Sequence, residues 1–149
     1  MSPELIRSAE CIARIMPAHS DWWIIGSAAL LLSGIDVEPQ DVDVFAASDV
    51  VEAARAALGV PVMPSGSDRF RSNPYFQFQP AGGVPIDFMG GLEVRSSDTW
   101  HRLRIESKLA VTVGNTTLFV PTLDEQARIL RLFDRPKDLA RAALIAGRR

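Results

Sequence analysis

The chain has 149 residues, 47% of them hydrophobic, with a formal net charge of −2 and a single cysteine, Cys11. The near-neutral charge argues against a broad electrostatic grip on nucleic acid, and one cysteine excludes both an internal disulfide and a cysteine-rich zinc site. The sequence shows no signal peptide and no apolar run near the roughly 20 residues that span a bilayer, so we expect a cytoplasmic protein without a membrane partner.

Helical and strand-like patterns alternate over residues 1–60. The predicted elements are a helix from Ser2 to Met16, a strand at Trp22–Ile25, a short helix at Ala28–Ser33, a strand at Val42–Ala46 and a helix that Ser48 caps and Leu58 ends. This alternation is an α/β pattern. A chain of this length buries one good core, so we expect a single domain over residues 1–149, with its core at about 20–122 and C-terminal helices at about 122–147.

The middle of the chain is less regular. Pro61–Asn73 predicts a long loop or a frayed strand, and long loops in compact domains are often functional. Arg69 and Arg71 in this loop either point at a phosphate or an acceptor, or are simply solvated, which is the usual state of arginine. Two strands, Tyr75–Gln79 and Val84–Met89, flank a glycine-rich turn and predict an antiparallel pair.

The last third of the chain predicts one hairpin and two helices. Leu92–Lys108 mixes basic, acidic and aromatic residues, which favours a solvated element over a nucleic-acid contact. Ala110–Val113 and Thr116–Val120 flank Gly114-Asn115, a hairpin signal. A capping box opens a helix that runs from Thr122 to Phe133, and a last helix begins near Pro136.

Gly26 and Ser27 stand where the first strand turns into a helix. The first N–H groups of a helix lack partners and lie at the positive end of its dipole. Glycine and a small hydroxyl residue at this junction therefore offer donors to a phosphate.

Three aspartates are candidates for metal binding. Asp41 and Asp43 are two residues apart in a strand-like run, and the period of a strand places both on one face. Asp87 lies between large apolar neighbours, where a carboxylate is costly to bury unless it binds a metal or pairs with an arginine. A phosphate-binding turn together with paired carboxylates suggests metal-assisted phosphoryl or nucleotidyl transfer.

In order and placement these residues resemble the nucleotidyltransferase superfamily. It includes DNA polymerase beta, the CCA-adding enzymes and the aminoglycoside and lincosamide nucleotidyltransferases. The resemblance rests on Gly26-Ser27, Asp41-Val42-Asp43 and the later lone Asp87. The segment from Phe119 to Leu139 is similar to the C-terminal part of AbiEii-like bacterial members. The resemblance implies a nucleotidyltransferase fold of α+β type, with a mixed β-sheet flanked by helices.

The resemblance also implies a role for each matching residue. Asp41 and Asp43 would hold two Mg²⁺ ions, and Asp87 would complete the second metal site and help to deprotonate an acceptor hydroxyl. Gly26 and Ser27 would bind the phosphates of a nucleoside triphosphate. Lys137 would add a positive charge to the triphosphate, and Asp138 would fix the last helix or Lys137 itself. Arg128 or Arg131 would stand in place of a lysine that related sequences carry in the penultimate helix.

The sequence leaves three functions open. The first is an active enzyme that transfers a nucleotide to RNA, a protein hydroxyl or a small molecule, for example as the toxin of a toxin–antitoxin pair. The second is a regulatory module that binds nucleotide and metal without turnover, because Glu38-Pro39-Gln40 replaces the basic and hydroxyl residues that related sequences place before the aspartates. The third is an interaction domain whose aspartates form ion pairs. A second copy of the chain or an antitoxin would be the expected protein partner.

Overall fold

The computed structural model describes residues 1–148, and in that range the chain forms five helices and nine strands. The helices are α1 (Pro3–Ile15), α2 (Gly26–Leu32), α3 (Ser48–Leu58), α4 (Leu123–Phe133) and α5 (Pro136–Arg148). Local sequence explains several of their ends. The Ser2 hydroxyl accepts a hydrogen bond from the N–H of Leu5 and starts α1, and Gly59, with a φ of 67°, ends α3 in the left-handed conformation.

A mixed four-stranded sheet is the centre of the fold. The strands are β1 (Trp22–Ile25), β2 (Val42–Ala46), β3 (Phe70–Arg71), β4 (Tyr75–Phe78), β5 (Ile86–Gly90), β6 (Glu93–Ser96), β7 (Thr99–Arg102), β8 (Leu109–Val113) and β9 (Thr116–Val120). The central sheet has the order β1-β2-β5-β4, in which β2 and β5 are parallel and the other pairs are antiparallel. The remaining strands form a β3-β6-β7 sheet and the β8-β9 hairpin.

Alternate residues of the central strands face two different layers. Trp22 and Ile24 point into the larger core, which α1, α3 and the β8-β9 hairpin cover. Trp23 and Ile25 point to the other side, where α4 and β6 pack on the sheet. The two-residue period of a strand produces this division. No helix within residues 1–148 combines the length and the apolar character needed to cross a membrane.

The structure confirms the expected α+β architecture and corrects three details of it. α2 begins at Gly26, two residues earlier than predicted, because Gly26 has a φ of 73° and turns the chain directly out of β1. Ser48 is the first residue of α3 and not its cap; the cap position is Ala47, which makes no side-chain hydrogen bond. The segment Leu92–Lys108 contains the β6-β7 hairpin and is not only a solvated element.

Candidate active site

The fold brings the three candidate aspartates together on one face of the central sheet. Asp43 in β2 lies directly beside Asp87 in β5 through the parallel register of the two strands. Asp41 precedes β2 by one residue and shares the face of Asp43. One carboxylate oxygen from each residue lies within 4.8 Å of those of the other two, so the three could hold a metal ion.

Asp87 is held by two neutral side chains of β4. It is only 9% exposed, and its Oδ1 accepts a hydrogen bond of 2.7 Å from the Tyr75 hydroxyl and one of 2.7 Å from Gln77 Nε2. Within residues 1–148 no arginine or lysine forms a salt bridge with Asp87. The alternative in which Asp87 pairs with an arginine is therefore wrong.

Neighbouring carboxylates oppose the ionisation of Asp41 and of Asp43. Burial, and then the charges of Asp41 and Asp87, raise the pKa of Asp43 to about 7. Burial and the neighbouring Asp87 also raise the pKa of Asp41. Burial and the hydrogen bond to Asp87 raise the pKa of the Tyr75 phenol, which keeps it a donor. A divalent cation fits this set, because all donors are oxygens and a positive charge would relieve their repulsion.

Gly26 brings the start of α2 against these acids. A Cβ atom at Gly26 would lie 2.9 Å from Asp43 Oδ2, and the positive φ of Gly26 independently disfavours a side chain there. Ser27, the next residue, is in the first turn of α2 and is partly exposed. The structure therefore places the predicted Gly26-Ser27 turn next to the aspartates.

Helix α5 supplies positive charge to the acids. The charges of Lys137 and Arg141 lower the pKa of Asp41 and so partly offset its rise. Lys137 is exposed and forms no salt bridge within residues 1–148. Asp138 is fully buried and accepts hydrogen bonds from the Arg135 backbone N–H (3.2 Å) and from Arg135 Nε (2.6 Å) and Nη2 (3.0 Å). Asp138 thus fixes the start of α5, as predicted, but through Arg135 and not through Lys137.

The other arginines singled out from the sequence bind elsewhere. Arg69 donates to the carbonyl oxygen at the end of α4 (2.7 Å), and Arg71 forms an ion pair with a glutamate of β6 (2.9 Å). Arg128 donates to a loop carbonyl (2.6 Å) and to Glu125 (2.9 Å), while Arg131 is exposed. That Arg128 or Arg131 stands in place of a lysine of related sequences stays a prediction. Besides Arg141, which acts on Asp41, a second arginine that the sequence analysis did not single out reaches the site: the charge of Arg135 lowers the pKa of Asp43.

A cavity of about 370 Å³ adjoins the acids. Asp43 and Asp87 form one side of it, and the predicted loop contributes residues 64–67. Its apolar lining includes Phe70 and Phe133, whose rings meet edge to face with centroids 5.0 Å apart. The cavity has the size and the largely apolar lining of a small-molecule site.

Sequence reasoning missed the two side chains that hold Asp87. Tyr75 and Gln77 are two residues apart in a strand that was predicted correctly, so strand period alone places them on one face. Their contact with Asp87 requires the register of β4 on β5, in which Gln77 lies opposite Asp87. The predicted hairpin carries part of this signal, but a hairpin pattern alone leaves the register of its two strands open.

Comparison with known proteins gives structural neighbours only. The sequence matches no protein-family model and no curated protein. A candidate nucleotidyltransferase from Thermotoga maritima has a similar structure, with a TM-score of 0.79 and 18% sequence identity over 100% of this chain and 96% of the other. The antibiotic-resistance factor ANT(2'')-Ia matches with a TM-score of 0.50 and 13% identity over 95% of this chain and 79% of the other. At these identities the likeness establishes the fold, and the chain therefore has a nucleotidyltransferase fold.

Proposed function

We propose that this protein transfers a nucleoside monophosphate from a nucleoside triphosphate to an acceptor hydroxyl, with Mg²⁺ as cofactor and release of pyrophosphate. The observation that carries the proposal is the cluster of Asp41, Asp43 and Asp87, whose carboxylate oxygens lie within 4.8 Å of one another in a nucleotidyltransferase fold. Fold alone does not define an activity, so the proposal depends on the chemistry of this site.

The aspartates are the proposed ligands of two Mg²⁺ ions. Bound Mg²⁺ supplies positive charge that offsets the negative charge on the attacking and leaving oxygens. The backbone N–H groups of Gly26 and Ser27 and the hydroxyl of Ser27 bind the β- and γ-phosphates in this proposal. Lys137 adds a positive charge to the triphosphate, and its lack of a salt-bridge partner within the described chain supports this role.

The proposed reaction is a single in-line displacement at the α-phosphorus. The acceptor oxygen forms a bond to that phosphorus as the bond to the β-phosphate oxygen breaks, and pyrophosphate leaves with the bonding electrons. Asp87 helps to take up the proton that the acceptor hydroxyl releases. Most of the rate enhancement then comes from positioning and electrostatics.

The cavity beside Asp87 favours a small molecule as acceptor over RNA or protein. It opens onto Asp43, Asp87 and Arg135, whereas Asp41, on which the charges of Lys137 and Arg141 act, does not line it. We therefore place the triphosphate on the α5 side and the acceptor in the cavity. A toxin-type enzyme that transfers the nucleotide to a larger acceptor is a variant of this proposal.

One sequence feature favours a second function, a regulatory module without turnover. Glu38-Pro39-Gln40 stands directly before the aspartates and offers no basic or hydroxyl side chain to a phosphate. Such a module would bind nucleotide with Mg²⁺ and release no pyrophosphate. All three acids are present and adjacent, which favours the active enzyme.

The test is incubation of the protein with Mg²⁺ and each α-labelled nucleoside triphosphate in a cell extract. Label should move onto an acceptor with the native protein and not with Asp43→Asn, which removes one proposed metal ligand but keeps the side-chain volume. Asp36→Asn is the matched control, because Asp36 is an exposed acid in the loop before β2 and should leave transfer unchanged. Transfer that persists in Asp43→Asn would overturn the metal assignment, and nucleotide binding without any transfer would favour the regulatory module.

A further inference from the structure

We propose that Tyr75 and Gln77 are positioning residues that occupy one oxygen of Asp87 and so present its other oxygen to the metal. This inference rests on the proposed function, since it assigns a role to residues that support its metal site. Neither residue needs to touch the metal or the substrate to act in this way.

Strand register explains why both side chains reach the same atom. Gln77 lies directly opposite Asp87 in the antiparallel β4-β5 pair, and Tyr75 is two residues away on the same face of β4. The Tyr75 hydroxyl and Gln77 Nε2 both donate to Oδ1 of Asp87, each at 2.7 Å. β4 is an edge strand of the central sheet, and the partly buried Tyr75 and the exposed Gln77 reach across from it to the buried Asp87 carboxylate of β5.

Two donors saturate one oxygen of a carboxylate. Each carboxylate oxygen offers about two lone pairs, so Tyr75 and Gln77 use those of Oδ1 and leave Oδ2 for a cation. Without these bonds the Asp87 carboxyl could rotate away from its negative neighbours, Asp41 and Asp43, whose charges repel it. The two hydrogen bonds thus fix the ligand in position before the metal arrives.

Both donors are neutral, which distinguishes this arrangement from a salt bridge. A cationic partner would orient Asp87 equally well, but it would compensate part of the negative charge that attracts a divalent cation. Tyr75 and Gln77 orient the carboxylate and preserve that charge. The cations whose charges act on Asp41 and Asp43, namely Arg135, Lys137 and Arg141, lie in α5 or just before it, and none of them forms a salt bridge with Asp87 within residues 1–148.

The inference is tested by measuring metal affinity directly, with Mn²⁺ as the probe. Free Mn²⁺ is followed by electron paramagnetic resonance during titration of the native protein, Tyr75→Phe, Gln77→Leu and the double variant. We expect each single change to weaken Mn²⁺ binding by about 10-fold or more, in the range of other residues that support metal ligands. Gln79→Leu is the matched control: Gln79 donates to the Gly83 carbonyl oxygen (3.0 Å), so Mn²⁺ affinity should stay unchanged.

The melting temperature in EDTA separates this role from a structural one. Tyr75→Phe keeps the ring, and Gln77→Leu keeps most of the volume, so at least one variant should fold. Equal Mn²⁺ affinity in the native protein and in every folded variant would overturn the inference even if the melting temperatures fell. If the native protein itself bound no Mn²⁺, the proposed metal-dependent function would fail, and this inference with it. Those two failures are therefore distinguishable.

Discussion

Asp43 combines burial with two neighbouring negative charges, and this combination makes the folding stability of the protein depend on pH. Its pKa is about 7 in the folded protein against an ordinary value of 3.8. Between these values the folded state binds a proton that the unfolded state has released, so folding stability falls as pH rises. The full pKa difference corresponds to a loss of folding free energy on the order of 4 kcal/mol in the metal-free protein.

We therefore predict that the metal-free protein is less stable at pH 8 than at pH 5. Urea unfolding in EDTA across this range measures the change directly. The slope should largely disappear in Asp43→Asn, which cannot ionise, and saturating Mg²⁺ should restore the stability lost at pH 8. An equally steep slope in Asp43→Asn would show that other groups cause the pH dependence.

At the scale of single residues, the sequence predicts candidate metal ligands more readily than the residues that hold those ligands in position. A carboxylate within a strand pattern is a candidate metal ligand by its chemistry alone. The structure brings together the three that the sequence offers, Asp41, Asp43 and Asp87. Tyr75 and Gln77 are ordinary strand residues until the register is known. Their roles in metal binding and catalysis remain proposals.

At the scale of elements, α4 forms only half of its predicted capping box. The Thr122 hydroxyl accepts a hydrogen bond from the N–H of Glu125 (3.3 Å), as expected. The Glu125 carboxylate, however, does not return to Thr122. It accepts hydrogen bonds from the Ser107 N–H (2.8 Å), the Ser107 hydroxyl and the Glu106 N–H (3.0 Å). Glu125 thus joins the start of α4 to the segment that precedes β8.

This arrangement predicts that Glu125→Gln lowers the free energy of unfolding by about 2 kcal/mol at pH 7, because several charge-assisted hydrogen bonds are weakened. Burial opposes the ionisation of Glu125, but these hydrogen bonds and that from Arg128 outweigh it and lower its pKa to about 2. The stabilisation is therefore complete above about pH 4.5 and is lost as pH falls through 2.

Urea denaturation of the native protein and of Glu125→Gln, at pH 7 and at pH 3, measures the difference in their free energies of unfolding. This difference should be smaller at pH 3. Glu93→Gln is the control: Glu93 forms a more exposed ion pair with Arg71, so its replacement should lower the free energy of unfolding much less than Glu125→Gln does. A Glu125→Gln effect no larger than that of Glu93→Gln would contradict the role of Glu125 in joining α4 to this segment.

The β6-β7 hairpin has a turn that is hard to recognise from the sequence. Its two turn residues, Ser97 and Asp98, both have positive φ, at 52° and 62°. Two-residue hairpin turns of this kind usually carry Asn-Gly or Asp-Gly. Because neither position is glycine, the turn has no clear signal in the sequence, and the hairpin was not predicted. The β8-β9 hairpin, with Gly114 at a φ of 59°, has the usual signal and was predicted correctly.

At the scale of the whole molecule, the site depends on a strand order that local patterns do not contain. β2 and β5 are neighbours in the sheet although more than 40 residues separate Asp43 from Asp87 in the chain. Periodicity predicts each strand, but only tertiary packing decides which strands pair and in which register. The expected placement of Asp87 beside the other acids came from the superfamily resemblance, and the structure supplies the strand pairing that produces it.

The position of the cavity between the sheet, the loop and α4 leads to the last prediction, which concerns the acceptor. Gly66 lines the cavity, and a Cβ atom built on it has no neighbour within 4 Å. Gly66→Trp should therefore fold normally and fill much of the cavity. Since we place the triphosphate on the α5 side, transfer to the labelled acceptor should fall at least 10-fold while Mg²⁺-nucleotide binding, measured by equilibrium dialysis, is retained. Gly147→Trp is the matched control, because Gly147 in α5 has an equally open Cβ position away from the cavity. Loss of both binding and transfer in Gly66→Trp alone would mean that the cavity holds the nucleotide, and unchanged transfer would exclude the cavity from the reaction.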